Sequence, residues 1–271
     1  MLETGGGEVK TILDFSRAKR ERRQIVMIAA YDALMARIVA ESEADALLVG
    51  DSVAMVVHGF PSTIHATVEM MSAHVSAVRR GAPEKIVIAD MPFLTARRGK
   101  QAAAEAAGAL MQAGANAVKV EGVTGHEEVI AHLIGSGIPV MGHIGLTPQS
   151  VNQFGGYRLQ GRAPAEAEQV RREARALEEL KAFALVLECV PAALAETITE
   201  ERAIPTIGIG AGAGTAGQVL VLSDMLGLDA RFQPRFARRY LAGHDLVRDV
   251  VNQFARDVRA AKFPAREEVL A

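Results

Sequence analysis

Four carboxylates each close a short apolar run. LLVGD ends at Asp51, IVIAD at Asp90, AVKVE at Glu121 and LVLE at Glu188. A single acid after an apolar run is ordinarily a turn or cap residue. Four of them on separate runs suit another arrangement, in which strand ends converge on one mouth. Acids gathered there repel, and each is pushed toward its neutral form unless a cation intervenes. Oxygen-only ligands suit Mg²⁺ or another hard divalent ion, which keeps waters and takes one or two protein carboxylates. The expected division is two or three acids for a metal and one left free for proton transfer. Four unrelated turn residues remain the plain structural alternative.

Other chemistry-bearing residues divide quickly. Lys119 lies two positions before Glu121, and residues i and i+2 of a strand face the same way. A buried Lys needs an anion, either a neighbouring carboxylate or a substrate carboxylate. His143 closes its own run, MGH, and suits either a hydrogen bond to substrate or a satisfied core histidine. His58, His65, His74, His126, His132 and His244 show no ligand spacing. Cys189 follows Glu188 and points away from it, as a packed thiol does. In IGIGAGAG, Gly208, Gly210 and Ala213 formally satisfy G-x-G-x-x-A after a strand. The motif comes late, with too few βα units behind it, and glycines that let backbone approach a neighbour are the simpler account. KRERR (19–23) reads as a solvated helix face.

The elements that must position these groups alternate along the chain. The apolar runs are IVMIAA (25–30), ALLV (46–49), KIVIA (85–89), AVKV (117–120), PVMGH (139–143), ALVL (184–187) and PTIGI (205–209), with GQVLVL (217–222) as an eighth candidate. They are continuously apolar, as strands covered on both faces are. Between them YDALMARIVAES places Leu34, Ile38 and Val39 on one helical stripe, and VEMMSAHVSAVRR, GKQAAAEAAGALMQAG and AEAEQVRREARALEELKA follow the same logic. This alternation predicts a (β/α)8 barrel or a doubly wound sheet. GAGAGTA, between the last two runs, is too short for a full helix, so either the seventh helix is truncated or the eighth strand is absent. Long loops at 50–68 and 144–164 follow strands directly and belong at the carboxyl-end face. The chain reads as one domain over 1–271, with a flexible segment at about 1–10 and a C-terminal helix at about 243–262.

Composition excludes several classes. Apolar residues make up 49% and Trp is absent, so the core must be aliphatic. A net charge of −2 gives no field for nucleic acid or an anionic membrane. One cysteine rules out a disulfide framework within the chain. The opening MLETGGGEVKTILDF lacks an apolar segment behind a basic start, so no secretory signal is expected. No apolar run reaches the roughly 20 residues of a membrane span. A soluble, cytoplasmic protein is expected.

Together the stretches IVMIAAYD, LLVGDSVAMVVHG, VRRGAP, IADMPF, AGANAVKVEG, PVMGHIGLTPQSVNQFGGYRLQGR, LVLECVP, IPTIGIGAG and GQVLVLSDMLG resemble the ketopantoate hydroxymethyltransferase family, in order, from about residue 11 to 265. GHIGLTPQS followed by FGGY and QGR is the most specific part. The resemblance implies a (β/α)8 TIM barrel of the phosphoenolpyruvate/pyruvate type. It implies Mg²⁺-dependent transfer of a one-carbon unit from 5,10-methylenetetrahydrofolate to 3-methyl-2-oxobutanoate, giving 2-dehydropantoate on the route to pantothenate and coenzyme A. One Mg²⁺ per subunit is implied, held by Asp51 and Asp90, with Glu121 in its shell directly or through water. Asp51, Ser52, Asp90, Lys119 and His143 are implied as contacts to the 2-oxo acid, and Glu188 as the general base. A homodecamer is implied by the same analogy. Two departures stand out: Ala216 where the family often has Asp, and Arg158 where it often has Lys. Readings that compete are a metal-dependent 2-oxo-acid C–C lyase on the same fold and a non-catalytic barrel scaffold.

Overall fold

The computed structural model describes residues 11–231 and 233–269. The flexible segment expected at about 1–10 lies outside the described residues. Eight strands, β1 (Ile25–Ala29), β2 (Ala46–Val49), β3 (Ile86–Asp90), β4 (Ala117–Glu121), β5 (Val140–Gly145), β6 (Ala184–Glu188), β7 (Thr206–Ile209) and β8 (Gly217–Val221), pair in parallel and in sequence order. β8 returns to β1 through the register Ile25↔Gly217 to Ala29↔Val221, which closes the barrel. Closure decides between the two expected architectures, and the eighth strand is real. The connection from β7 to β8 contains no helix at all; seven residues cannot turn twice and still wind one.

Helix α1 (Leu13–Arg20) precedes β1, and α2 (Ala33–Ala40), α3 (Val53–Val56), α4 (Val68–Gly81), α5 (Lys100–Gln112), α6 (Glu127–Gly135), α7 (Val151–Phe154), α8 (Pro164–Glu179) and α9 (Ala192–Glu201) fill the other connections. Their starts follow local chemistry: Asp32 accepts from the Met35 amide and Thr67 from the Met70 amide, satisfying first-turn donors that have no helical partner. The stripe expected on α2 is only partly a core face. Val39 is buried, but Leu34 and Ile38 are exposed, as is Val26 of β1.

Inside the barrel the side chains come from alternate positions. Ile25, Met27 and Ala29 meet Leu48, Ile86, Ile88, Ala117, Met141, Ala184, Val186, Ile207 and Val219 in one cluster. Phe15 and Ala18 of α1 join it, and Phe15 stands edge-on to Phe183 at 5.4 Å. The interior is therefore a packed aliphatic core, and α1 packs on the end where the strands begin.

Where the sequence reads as one domain, the chain divides into two compact units, the barrel unit through Val221 and a second over Leu222–Ala271. The second holds α10 (Leu222–Leu226) and α11 (Gly243–Arg259), which ends a little short of the expected residue 262. Leu246, Val247, Val250, Val251, Phe254 and Val258 form an exposed apolar stripe along α11. Among the described residues no helix is long and apolar enough to cross a membrane.

Candidate active site

Strand parity delivers five of the candidate groups to one mouth. Asp90 continues the interior face of Ile86 and Ile88; Lys119 and Glu121 continue that of Ala117; His143 follows Met141, and Glu188 follows Val186. Register sets Asp90 beside Lys119, Glu121 beside His143, and Glu188 beside Gly145. Asp51 arrives differently, just past β2, where its backbone N–H donates to Asp90 Oδ2 at 3.0 Å. Asp51, Asp90, Lys119, Glu121 and His143 are buried, and Glu188 is partly open. Ser52 shares a 2.8 Å hydroxyl–hydroxyl hydrogen bond with Tyr31.

Lys119 is the central cation. Its Nζ lies 2.9 Å from Asp90 Oδ1 and 3.9 Å from Glu121 Oε1. Burial alone would lower its pKa, but Asp90, Glu121 and Asp51 outweigh burial and hold the ammonium above its ordinary value. Asp51 is pushed well above the usual carboxylate range by burial, then by Glu121 and Asp90. Burial also pushes Glu121 up, but His143, Lys119 and a backbone N–H together bring it below its ordinary value.

Two observations on His143 pull apart. Burial and Lys119 lower it while Glu121 and Glu188 raise it, to about 9 on balance, which would protonate both ring nitrogens. Yet Lys119 Nζ lies 3.0 Å from Nδ1 and can donate only to an unprotonated nitrogen. Nδ1 also lies 3.6 Å from Glu121 Oε1 and Nε2 faces Glu188 Oε2 at 3.1 Å, so the Lys119 ammonium and two acids compete for one ring.

Three buried atoms at this mouth, Asp90 Oδ1, Glu121 Oε1 and His143 Nε2, have no hydrogen bond in line, although each has an ionic neighbour. The mouth is therefore a buried cluster of charges that compensate one another by ion pairing, and removing one member of such a cluster leaves the rest uncompensated. Among the described residues no group of three or more His, Cys, Asp or Glu side chains is set to enclose a metal. The donors the mouth does offer are the carboxylate oxygens of Asp51 and Asp90, held together by the Asp51 N–H···Asp90 Oδ2 bond, and hard oxygen donors of this kind are what Mg²⁺ takes, one or two at a time. Cavities of about 340 Å³, by Gly227 and His244, and about 580 Å³, by Lys100 and His132, gather no buried acids. Chemistry rather than volume therefore marks the site.

Residues beyond the expected set also take part. Gln149, in the single turn Pro148–Ser150, donates from Nε2 to Asp51 Oδ2 (2.8 Å) and to the Met91 carbonyl (2.9 Å). Its backbone N–H donates to Glu121 Oε2 at 2.9 Å. Tyr157, on the same long loop, donates to Met55 Sδ at 3.7 Å. Burial, then Glu188, Asp51 and Glu121, push its hydroxyl pKa up, so the ring feels the acids. The signal for both was a polar loop residue shortly after a strand end, which does not reveal what the loop reaches. At Gly145, φ is +89°, and a Cβ there would sit 2.4 Å from the Glu188 carbonyl; only glycine lets β5 pass so close to the base position. Cys189 adopts φ +47° directly after Glu188. Burial, then Glu188, push its thiol up to about 12, so it is no nucleophile. Of the other histidines, His58 and His74 pair through Nε2 at 2.9 Å, away from the acids.

Comparison with known proteins gives a consistent result. A sequence model of the family described as Ketopantoate hydroxymethyltransferase matches residues 9–266. The chain is 50% identical over 257 residues to a 3-methyl-2-oxobutanoate hydroxymethyltransferase of Legionella pneumophila, covering 94% of this chain and 98% of that one. It is 48% identical over 260 residues to the enzyme of the same name from Bdellovibrio bacteriovorus, covering 96% and 99%. Among solved structures, a 2,3-dimethylmalate lyase of the PEP mutase/isocitrate lyase superfamily superposes with a TM-score of 0.62 at 20% identity, covering 93% of this chain and 89% of that one. At that identity the likeness is one of fold.

Proposed function

The chain belongs to the ketopantoate hydroxymethyltransferase family, and from that premise we propose how the barrel mouth works. The enzyme transfers a hydroxymethyl group to 3-methyl-2-oxobutanoate, forming 2-dehydropantoate. The observation that carries the site assignment is the meeting of Asp51, Asp90, Lys119, Glu121, His143 and Glu188 in one ion-paired cluster at the barrel mouth.

Asp51 and Asp90 would hold one Mg²⁺ per subunit, with Glu121 beside them. When bound, the cation supplies a Lewis acid that draws electron density from the 2-oxo group. Lys119, fixed and charged, meets the developing negative charge on the substrate, and Ser52 and His143 orient the 2-oxo acid by hydrogen bonds. Glu188 faces His143 Nε2 at 3.1 Å. Water opens the methylene bridge of 5,10-methylenetetrahydrofolate: its oxygen bonds the one-carbon unit, both carbon–nitrogen bonds break, its two protons go to the folate nitrogens, and tetrahydrofolate is released from a carbon at the oxidation level of formaldehyde. Glu188 takes the proton from C3 of the substrate, and the C–H electron pair forms the new bond to that carbon. The oxygen of that carbon's former carbonyl, now an alkoxide, takes the proton back from Glu188 and becomes the hydroxyl.

Proton NMR of 3-methyl-2-oxobutanoate with the protein in D₂O tests this directly. Loss of the C3 proton signal with Mg²⁺ but not with EDTA is expected. Exchange that is equally fast in EDTA would remove the metal from this step, and no exchange under any condition would remove the proton-transfer assignment.

Self-association, as a homodecamer by family analogy, belongs to the same proposal. The exposed stripe on α11 and the exposed Leu34 and Ile38 support it, since contiguous apolar faces mark interaction sites. Sedimentation giving a monomer would refute it. A cytoplasmic location is proposed too, supported by the single cysteine, Cys189, which is free; cell fractionation checks it.

A further inference from the structure

Gln149 is the only residue of the long loop after β5 whose hydrogen bonds reach, among the described residues, the ends of three other strands. Its contacts are Asp51 beyond β2, Met91 beyond β3 and Glu121 at the end of β4. Both partners of its side-chain Nε2 are acceptors, a carboxylate and a carbonyl, so the amide can be oriented only one way. Each of its two hydrogens has a partner.

The pattern on the acids is specific. Asp51 Oδ2 is occupied by Gln149 Nε2–H, and Glu121 Oε2 by the Gln149 backbone N–H. Glu121 Oε1 is left buried and without a hydrogen bond. One oxygen of each acid is thus held from the loop side, while Glu121 Oε1 turns inward, 3.6 Å from His143 Nδ1 and 3.9 Å from Lys119 Nζ. Carboxylates that bind metals are held in this way by outer hydrogen bonds, and removing such a partner typically weakens metal affinity by about 10–100-fold.

We propose that Gln149 is a positioning residue of the metal centre: it fixes the carboxylates of Asp51 and Glu121 for a divalent cation and, through the same three bonds, pins the loop over the mouth. The inference rests on the metal reading given above. It makes the loop and the metal site one unit. A cation bound by the aligned acids favours the closed loop, and opening the loop releases the acids from their alignment.

The test uses the intact protein and Mn²⁺ alone, read from the electron paramagnetic resonance signal of the free ion, with Mg²⁺ added as competitor. Gln149→Ala is expected to weaken Mn²⁺ and Mg²⁺ binding by roughly 10–100-fold. It should also speed tryptic cleavage at Arg158 in the absence of metal. Gln149→Glu replaces the donor by an acceptor facing Asp51 and should bind at least as weakly as the Ala variant. Gln149→Asn keeps the donors on a shorter arm and should fall between wild type and Ala, which keeps the test decisive if the Ala variant fails to fold. Melting curves without metal separate a merely structural loss, which would move the midpoint and not the ordering of affinities. Wild-type affinity retained in the Ala or Asn variant, or tighter binding by the Glu variant, would overturn the proposal. A wild-type protein that binds no divalent ion would instead overturn the metal reading itself.

Discussion

Replacing Lys119 by Met keeps the length and bulk of the side chain and deletes one buried charge. The ammonium lies 2.9 Å from Asp90 Oδ1 and 3.9 Å from Glu121 Oε1. With an effective dielectric constant of about 20, those contacts amount to roughly 6 and 4 kcal/mol of gross attraction. Most of that offsets the desolvation of the ions, and removing one partner of such a buried pair costs about 3–5 kcal/mol net. For a chain of this size that shifts the melting midpoint by roughly 6–20 °C. The deficit has a characteristic pH dependence. Asp51 is already pushed up by burial, Glu121 and Asp90, and Lys119 is among the groups that hold Asp51 and Glu121 down, so both rise without it. A carboxyl whose folded-state pKa is raised binds more protons folded than unfolded, so stability falls as pH rises from the ordinary carboxylate range through the raised value. Lys119 itself, raised above its ordinary value, contributes in full at any pH below that ordinary value. The deficit of Lys119→Met should therefore be small near pH 4, grow with pH and level off above the raised acids. Mg²⁺ should recover part of it by taking the place of the lost positive charge. Melting curves at pH 5 and 8, with EDTA and with Mg²⁺, measure all of this. A deficit that is equal at both pH values, or a midpoint within about 2 °C of wild type at pH 8, would refute the reasoning.

Other expectations follow from the same geometry. Glu188→Gln should lower kcat by at least about 10²-fold, the low end for a general base, while Mg²⁺ affinity in calorimetry stays within about threefold, since a residue that only orders the site would change both. Asp51→Ala should weaken Mg²⁺ binding; full calorimetric affinity would exclude Asp51 as a ligand. Gly145→Ala forces a side chain into positive φ, which alone costs about 1–2 kcal/mol, and drives a Cβ against the Glu188 carbonyl. A lower melting midpoint and a reduced kcat are expected, and unchanged values for both would show that β5 yields there. With its thiol pushed up to about 12, Cys189 should react with iodoacetamide at pH 8 at least about 10²-fold more slowly than a free thiol, as mass spectrometry of the timed reaction would show.

Much of this protein is legible locally. Strand positions follow from the continuously apolar runs, with the acids at their carboxyl ends, and the face that Lys119 shares with Glu121 follows from the strand period of two. That period depends only on backbone geometry within a few residues, so Lys119 and Glu121 could be assigned to one face before any partner strand was known. The same local rules left α2 half wrong, because periodicity gives a stripe and only packing says what covers it; Leu34 and Ile38 are exposed. Barrel closure, the helix-free β7–β8 link and the partners of His143 required the assembled structure. So did Gln149, whose bond to Asp51 spans 98 positions along the chain. Nothing in the spacing of a loop encodes such a contact. It exists because eight strands of matched register bring the ends of β2, β3, β4 and β5 within reach of one another, and closing that ring is a property of the whole chain.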